Sequence, residues 1–477
     1  MKQNKFIMIL SLPLLIISLG GCNQQGNTPG EDPFDDKSEK YYENVEKRNQ
    51  FNKDSELNFD DEITFGLDDK VWNTLDGYWE NGGTTPHNGV RRRNLFYTKD
   101  STGNGYLAMK ARGLYNREDE NTKGLPEGAC IETKNSLGPG RYEVYMAAMP
   151  REGGVSALWT YKCESSENVS QNEIDIEIGG GAQYSNMWCT TWTTKTNKAT
   201  NAPSVEKYCH MNDGQIHKYT FDWYTDYGTT GEGRVDWFVD GHFIQSLSGG
   251  TVTNIDMPLW LGLWMPSWAG EASWVEDYML IDRVSYTAFD ENQYYETKRA
   301  YNTYSPKDPS KSEIAEVDFD AITSKLNLFS NPGFEIRESY QTDDYYGWRA
   351  FRDFKGNATF TTNTDFGNYA FKVKGNSSVT NGEAYYYQRI SSLYPGYRFN
   401  FEIMAWTDTW DDEAEIIIWQ KKNGSVTISK EEIPFGSTVP TKYEKNITIT
   451  EGADCLDIFL HVKNGTAYFD EAKLYRQ

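Results

Sequence analysis

The sequence predicts an all-β protein built from two consecutive β-sandwiches. Short segments alternate apolar and polar residues and are separated by Gly, Asn and Asp turns, which is the pattern of strands in a sandwich. No long stretch has the 3.6-residue periodicity of helices, so parallel α/β folds are disfavoured. The 477 residues are enough for two or three domains, each with its own core.

The N-terminus has the pattern of an export signal. Lys2 and Lys5 precede an apolar run over residues 6–19, which is too short to span a bilayer and fits a signal peptide. The run ends in Gly20-Gly21-Cys22, which resembles a bacterial lipobox and implies lipidation of Cys22. We therefore expect a lipid anchor in the bacterial outer membrane, facing the cell surface. The alternative is an ordinary signal peptide with an incidental cysteine.

Composition divides the rest of the chain. Residues 23–60 are polar and acidic and are predicted to form a flexible tether. Alternating segments then define a first sandwich over residues 61–290. Residues 291–325 are charged and contain prolines, as linkers do, and residues 326–477 again alternate like a smaller sandwich.

Charge and composition limit the partners. The net charge of −23 repels nucleic acid and offers no basic surface. Aromatic residues make up 15% of the chain, which favours carbohydrate, because aromatic rings stack on sugar faces. We expect a polysaccharide partner, a membrane reached through the lipid, and a monomer. The six cysteines form no CxxC pair, so a zinc site is not predicted.

The segment over residues 172–178 carries the strongest chemical signal. Glu173, Asp175 and Glu177 alternate with isoleucines, so a strand places all three acids on one face. Adjacent carboxylates repel one another, and the repulsion raises the pKa of at least one of them. This costs stability, so a functional role explains the three acids better than a purely structural one. Retaining glycoside hydrolysis needs two carboxyls about 5–5.5 Å apart, one ionised and one protonated. The alternatives are an exposed acidic strand or a calcium-binding edge.

These residues resemble the ExDxE motif of glycoside hydrolase family 16, a family of jelly-roll sandwiches with a concave active face. Further stretches similar to the family, in the same order, are residues 132–135, 140–144, 154–161, 217–223, 237–241 and 261–264. The resemblance implies that Glu173 is the nucleophile, Asp175 an electrostatic helper and Glu177 the general acid/base. It implies no cofactor for catalysis.

The spacing also indicates a branch of that family. Lichenases and xyloglucan enzymes share the regular ExDxE form, whereas laminarinases and most agarases carry one extra residue. Here Ile178-Gly179-Gly180-Gly181 replaces the aromatic-Leu-Gly sequence usual in lichenases. We expect an endo-β-glucanase, most simply on 1,3-1,4-linked glucan. An endo-β-galactanase, a transglycosylase and a non-catalytic surface glycan-binding lipoprotein are the alternatives.

Aromatic residues around the triplet are candidate sugar platforms. Trp188 and Trp192 are four residues apart, so an unbroken strand points both to one side. We expect Trp188, Trp264, Trp159 and Trp192 to contact substrate, with burial in the core as the alternative.

The last 150 residues resemble carbohydrate-binding modules of families 4, 9 and 22. The resemblance rests on Asn331-Pro332-Gly333-Phe334-Glu335 at the start and on residues 467–474 at the end. It implies a structural calcium with Glu335 and Asp470 as candidate ligands, and a calcium-free sandwich is the alternative. Candidate platform or core aromatics are Trp348, Tyr386, Trp406 and Trp410.

Overall fold

A computed structural model describes most of the chain from residue 51 onward. The residues described are 51–63, 67–77, 89–115, 126–149, 151–163, 171–179, 186–211, 214–227, 232–289, 315–316, 318–319, 322, 327–337, 344–355, 357–363, 365–391 and 393–476. The predicted lipobox, with Cys22, and residues 23–50 of the predicted tether lie outside them.

The predicted all-β class is confirmed, and the described residues of the first sandwich form seventeen strands. They are β1 (Phe59–Asp61), β2 (Trp72–Thr74), β3 (Gly89–Val90), β4 (Leu95–Lys99), β5 (Gly105–Arg112), β6 (Glu127–Leu137), β7 (Gly140–Ala147), β8 (Val155–Cys163), β9 (Gln171–Gly179), β10 (Met187–Thr194), β11 (Asn197–Asn201), β12 (His217–Tyr227), β13 (Glu232–Val239), β14 (His242–Ser248), β15 (Met257–Trp264), β16 (Glu276–Ala288) and β17 (Ala315–Glu316). Among the described residues, short 3-10 helices occupy Arg92–Asn94 and Ser267–Ala269.

These strands form two layers. In the front sheet the order is β2-β6-β15-β8-β9-β10-β11, with every pair antiparallel. In the back sheet the order is β17-β4-β5-β16-β7-β12-β13-β14, with β1 also paired to β16. Ile174, Ile176 and Ile178 are fully buried between the layers, so the opposite face of β9 points away from the core.

Segments predicted as tether and linker contribute to this sandwich. Phe51 bridges to Phe289 and the two rings lie 5.4 Å apart. In the predicted linker, β17 pairs in parallel with β4, and the ring of Phe319 packs 5.3 Å from that of Tyr106. Apolar side chains inside these polar segments therefore extend the folded unit beyond residues 61–290.

In the part of this region that the structure describes, the second sandwich has ten strands around its own apolar core. They are β18 (Asp344–Tyr345), β19 (Trp348–Lys355), β20 (Asn357–Thr362), β21 (Tyr369–Asn376), β22 (Ala384–Ile390), β23 (Arg398–Thr407), β24 (Glu413–Lys422), β25 (Val426–Phe435), β26 (Thr441–Thr448) and β27 (Cys455–Arg476).

The 22-residue strand β27 belongs to both layers of the second sandwich. Its first half lies between β22 and β24, and its second half lies between β21 and β23. Gly465 marks the change, with φ +86°, and a Cβ there would meet the carboxylate of Asp412. A glycine is therefore required where the strand passes from one sheet to the other.

The two sandwiches contact each other through polar groups. Tyr115 donates to Asp344 at 3.0 Å, and Arg349 donates to Ser273 at 2.6 Å and to Tyr115 at 3.3 Å. Arg151 donates to the main-chain oxygen of Leu328 at 3.2 Å. A cavity of about 410 Å³ lies between the sandwiches rather than at the acidic strand.

Candidate active site

The acidic triplet lies on the outer face of the front sheet. Each acid of β9 lies between one residue of β8 and one of β10. The three rows across the strands are Tyr161–Glu173–Trp192, Trp159–Asp175–Thr190 and Ala157–Glu177–Trp188. Strand alternation thus brings together the three predicted carboxylates and three of the four predicted tryptophans.

Asp175 is the most enclosed of the three acids, with 4% of its surface exposed. The indole N–H of Trp192 donates to its Oδ2 at 3.2 Å, and the buried Trp237 donates to its main-chain oxygen at 3.0 Å. Burial raises the pKa of Asp175 well above its usual range, and the charges of Glu173 and Glu177 raise it further. Burial and the neighbouring charges therefore favour the protonated form of Asp175.

Glu173 is surrounded by groups that favour its ionised form. Its pKa is about 7, because burial raises it while hydrogen bonds from Gln171 and Asp175 and the charge of Lys198 lower it. The amide of Gln171 donates to Oε2 at 2.7 Å. Lys198 lies with its Nζ 4.3 Å above the ring of Trp192, in the row of Glu173.

Glu177 has the environment of an acid rather than a base. Its pKa is raised to about 7, first by burial and then by the charge of Glu173, while the charge of Lys198 lowers it. The two glutamates are thus unequal: donors stabilise the charge on Glu173, and that charge favours the protonated form of Glu177.

The predicted tryptophans lie around this triplet with different exposures. Trp188, Trp192 and Trp264 are half-buried, whereas Trp159 is 8% exposed and packs 5.6 Å from Trp260. Trp268, 41% exposed, stacks 5.4 Å from Trp188 and meets Trp264 edge-on at 6.4 Å.

Sequence reasoning missed several residues on the same face. Trp260 on β15 lies beside Trp159 on β8, and on its other side it lies beside Glu132 on β6. Burial raises the pKa of Glu132 despite a hydrogen bond from Asn73. Tyr161, beside Glu173, has its pKa raised to about 12, chiefly by burial. Tyr161 could have been found from the sequence, because it is two residues after Trp159 and therefore points to the same face of the strand. Trp260 and Glu132 could not, because they reach this face through pairing between distant strands.

Gly262 leaves room for the ring of Trp159. A Cβ on Gly262 would lie 2.8 Å from the ring of Trp159 and 3.3 Å from Sγ of Cys130. Glycine at this position therefore lets the indole of Trp159 approach the strand backbone closely.

In the second sandwich the candidate calcium ligands are held by amide donors. Glu335 Oε1 accepts from the main-chain N–H groups of Asn368 and Tyr369 at 2.7 and 3.1 Å. Asp470, fully buried, accepts from Asn363 at 3.1 Å. Its pKa is raised to about 7 by burial first, with the charges of Glu471 and Glu335 adding to the effect.

The aromatic candidates of the second sandwich separate into core and surface. Trp348 and Tyr386 are buried in the core, Trp406 stacks on Tyr468 at 5.2 Å, and Trp410 is 77% exposed. None of the five cysteines in the described part of the chain forms a disulfide bond: Cys130, Cys163, Cys189, Cys209 and Cys455. No helix among the described residues is both long enough and apolar enough to cross a bilayer.

Paired carboxylates with raised pKa values and different neighbouring groups, set among aromatic rings on a sheet face, have the chemistry that a glycosidase site requires. Residues 87–284 match the family model Glycosyl hydrolases family 16, so this part of the chain is a domain of that family.

Individual relatives match over part of the chain. A beta-glucanase of Acetivibrio thermocellus is 32% identical over 146 residues, 29% of this chain and 39% of that protein. A beta-glucanase of Fibrobacter succinogenes is 28% identical over 160 residues, 32% of this chain and 41% of that protein. The chain thus spans less than half the length of either curated relative. The crystal structure of a prokaryotic beta-1,3-1,4-glucanase (lichenase) from a mouse hindgut metagenome has 20% identity and a TM-score of 0.38, covering 48% of this chain and 98% of the other.

Proposed function

We propose that this chain is a retaining endo-β-glycanase that hydrolyses internal bonds of a β-glucan. The observation that carries the proposal is the unequal environment of Glu173 and Glu177 on one strand face. A mere acidic surface would leave both carboxylates solvated, whereas here burial raises both pKa values to about 7.

The proposed chemistry has two steps. Glu173 attacks the anomeric carbon while Glu177 protonates the departing glycosidic oxygen, so one C–O bond forms as another breaks. Glu177, now ionised, then takes a proton from water, whose oxygen displaces Glu173 and restores both groups. Asp175 donates a hydrogen bond to Glu173 and so helps it to leave as a carboxylate.

The proposed substrate contacts are Trp188, Trp264 and Trp159, with Trp192 acting mainly through Asp175. Half-burial of Trp188 and Trp264 leaves ring surface for stacking on a sugar, and the exposed Trp268 extends the same cluster. The beta-glucanase names of the relatives favour β-glucan, most simply the 1,3-1,4-linked form of the lichenase branch. The galactan alternative is favoured only by Ile178 and Gly179 after the acid/base position.

The test is a panel of mixed-linkage glucan, laminarin, xyloglucan and β-galactan, with products sized by chromatography. Internal cleavage of a β-glucan with a β-configured first product, observed by proton NMR, is expected. An inverted product excludes the two-step mechanism, and cleavage of galactan alone replaces the substrate assignment.

We infer that the second sandwich is a carbohydrate-binding module. On the face opposite its core, Phe459 stacks on Tyr387 at 4.9 Å and lies 5.5 Å from Trp419 and 5.3 Å from Phe351. Trp419, Tyr387 and Phe351 are half-exposed. A sheet face of clustered, partly open rings is suited to stacking on a glycan chain.

Charged groups border this aromatic cluster. Arg389 and Lys421 both donate to the buried Asp457 at 2.7 Å, and His461 lies 2.7 Å from Glu415. Of these groups, Arg389 keeps 35% of its side chain exposed, so it can also donate to sugar hydroxyls beside the stacked rings. Trp419→Ala is expected to weaken binding to insoluble β-glucan about tenfold while sparing hydrolysis of short soluble substrates. The exposed Trp410→Ala is the control, and equal loss in both variants contradicts the assignment.

We also propose a structural calcium beside Asp470. A fully buried carboxylate near Glu335 and Glu471 would be stabilised by a cation, and oxygen donors suit calcium. Further ligands would be main-chain carbonyls or water. A chelator should lower the melting temperature of the wild type and leave Asp470→Asn unchanged; equal responses contradict a site at Asp470.

Finally, we propose anchoring through Cys22 at the outer membrane, facing the cell surface, as a monomer. The support is the lipobox pattern of residues 19–22 and the acidic stretch that follows it. Cys22→Ala should move the protein from the membrane fraction to the soluble fraction, and surface proteolysis of intact cells tests its orientation. Sedimentation of the purified chain tests its oligomeric state.

A further inference from the structure

Three side chains of different chemistry meet at one end of the back sheet, away from the acidic triplet. They are Cys209, from the loop after β11, His217, the first residue of β12, and Asp240, in the turn between β13 and β14. One ligand atom from each lies within 4.8 Å of the other two. No other His, Cys, Asp and Glu group among the described residues is as compact.

We propose that Cys209, His217 and Asp240 bind a zinc ion, with water as the fourth ligand. Ligand atoms around tetrahedral zinc lie about 2.0–2.3 Å from the ion and therefore roughly 3–4 Å from one another. The observed separations need only a small movement to reach that range. A thiolate and a carboxylate together neutralise the 2+ charge, and a thiolate with an imidazole favours zinc over calcium or magnesium.

The main chain already orients the carboxylate. The dipeptide Asp240-Gly241 forms a two-residue hairpin turn with φ values of +48° and +81°, and Asp tolerates this left-handed conformation. The N–H of Lys218 donates to Oδ1 at 2.8 Å, which leaves Oδ2 directed at Nδ1 of His217, 2.7 Å away. Zinc would replace the proton held between these two atoms, as it does when it binds a neutral imidazole.

The thiol is held by a compact turn. The N–H of Cys209 donates to the oxygen of Val205 at 3.1 Å, and the ring of Tyr208 stacks on that of His242 at 4.5 Å. Cys209 is 7% exposed, so the ion would be shielded on the protein side. No CxxC pair marks this site in the sequence, because its ligands come from three separate segments.

The ion would fasten a loop that also contacts the second sandwich. The ring of His210, next to Cys209, lies 3.9 Å from that of Tyr394. The ion would link the Cys209 loop to the end of the sheet that carries His217 and Asp240. It would therefore hold in place the loop against which Tyr394 of the second sandwich packs. Zinc at this position is structural and takes no part in the carboxylate chemistry.

The test uses cobalt as a spectroscopic substitute for zinc in the purified full chain after chelation. One Co²⁺ per chain should bind and give a thiolate-to-cobalt charge-transfer band, which zinc then displaces. Cys209→Ser should abolish the band, and His217→Gln should weaken binding more than about 100-fold, because a direct ligand matters at least as much as an outer partner. Cys163→Ser, which changes a half-buried thiol outside the site, is the matched control.

Two results overturn the proposal. The first is a wild-type chain that binds no cobalt or gives no charge-transfer band. The second is a band that persists in Cys209→Ser or disappears in Cys163→Ser. Retained β-glucan hydrolysis in each variant shows that the chain is folded, and zinc should raise the melting temperature of the wild type but not of Cys209→Ser.

Discussion

The indole N–H of Trp192 donates a hydrogen bond of 3.2 Å to Oδ2 of Asp175, the central acid of the triplet. Trp192 itself pairs in register with Glu173 on the adjacent strand. One side chain is therefore next to the proposed nucleophile and also orients the acid that hydrogen-bonds to it.

Trp192→Phe removes this donor and keeps an aromatic ring. We expect kcat to fall about tenfold, corresponding to a lost hydrogen bond of about 1–2 kcal/mol, with a smaller change in KM. Trp188→Phe is the matched control, because the buried indole N–H of Trp188 has no hydrogen-bond partner among the described residues. Steady-state kinetics on mixed-linkage glucan measure both. A larger kcat loss in Trp188→Phe contradicts the positioning role.

Substitutions of Asp175 test whether it acts as a hydrogen-bond donor. Asp175 lowers the pKa of Glu173 by hydrogen bonding, so Asp175→Ala should raise that pKa and move the acidic limb of kcat/KM to higher pH. Asp175→Asn keeps an N–H donor, so it should shift the acidic limb of the kcat/KM profile less than Asp175→Ala does. The pH profiles of the two variants provide the comparison, and identical acidic limbs would show that hydrogen-bond donation is unimportant.

Glu173→Ala should reduce kcat at least about 10⁴-fold, because the covalent step is lost, while glycan binding is kept. Added azide should restore cleavage of an activated aryl glucoside and give an α-glycosyl azide, since azide attacks once from the vacated side. The product is identified by NMR. Glu132→Ala, on the same sheet face, should show no such rescue, and a rescued Glu132 variant would move the nucleophile to another residue.

The triplet was predictable because strand alternation is local. Glu173, Asp175 and Glu177 need only period-two geometry to share a face, and Trp188 and Trp192 follow by the same rule. Trp260 and Glu132 reach that face through pairing of β15 and β6, which are more than a hundred residues apart in sequence. Pairing of that kind is not encoded in any short window.

In the second sandwich, the sequence does not show which aromatic residues are buried and which are exposed. Trp348 and Tyr386 are aromatic and near the predicted motifs, yet both are fully buried. Phe459 is part of the partly open ring cluster, although its own sequence, an apolar run in β27, is that of a core strand. Because β27 passes between two sheets, its neighbours differ at each end, and sequence alone does not determine which face is open.

Glu177→Gln tests the electrostatic cost of the site in the folded protein. The folded pKa of Glu177 is raised from 4.5 to about 7, so folding favours its protonated form. Its contribution to stability is fully present below about pH 4.5 and is lost as pH rises to about 7. Glu177→Gln should therefore stabilise the protein by on the order of 1 kcal/mol at pH 8 and have little effect at pH 4. Urea unfolding at both pH values measures this, with the exposed Glu444→Gln as control, and equal effects at both pH values would contradict the raised pKa.

Glu177→Ala separates protonation of the leaving group from every other role of this residue. If Glu177 donates the proton, the variant should lose activity in proportion to the basicity of the leaving group, because a good leaving group departs without protonation. Hydrolysis of dinitrophenyl glucosides should fall far less than hydrolysis of β-glucan, for which we expect a loss of about 10²–10⁴-fold. The alkaline limb of the pH profile, which reports ionisation of the acid, should disappear as well. Aryl glucosides of graded leaving-group pKa provide the measurement, and Glu173→Ala is the control, because loss of the nucleophile affects every substrate.

A uniform loss of activity across the series would show that Glu177 is not the acid. An α-anomer as the first wild-type product would show that the two carboxyls work by inversion instead.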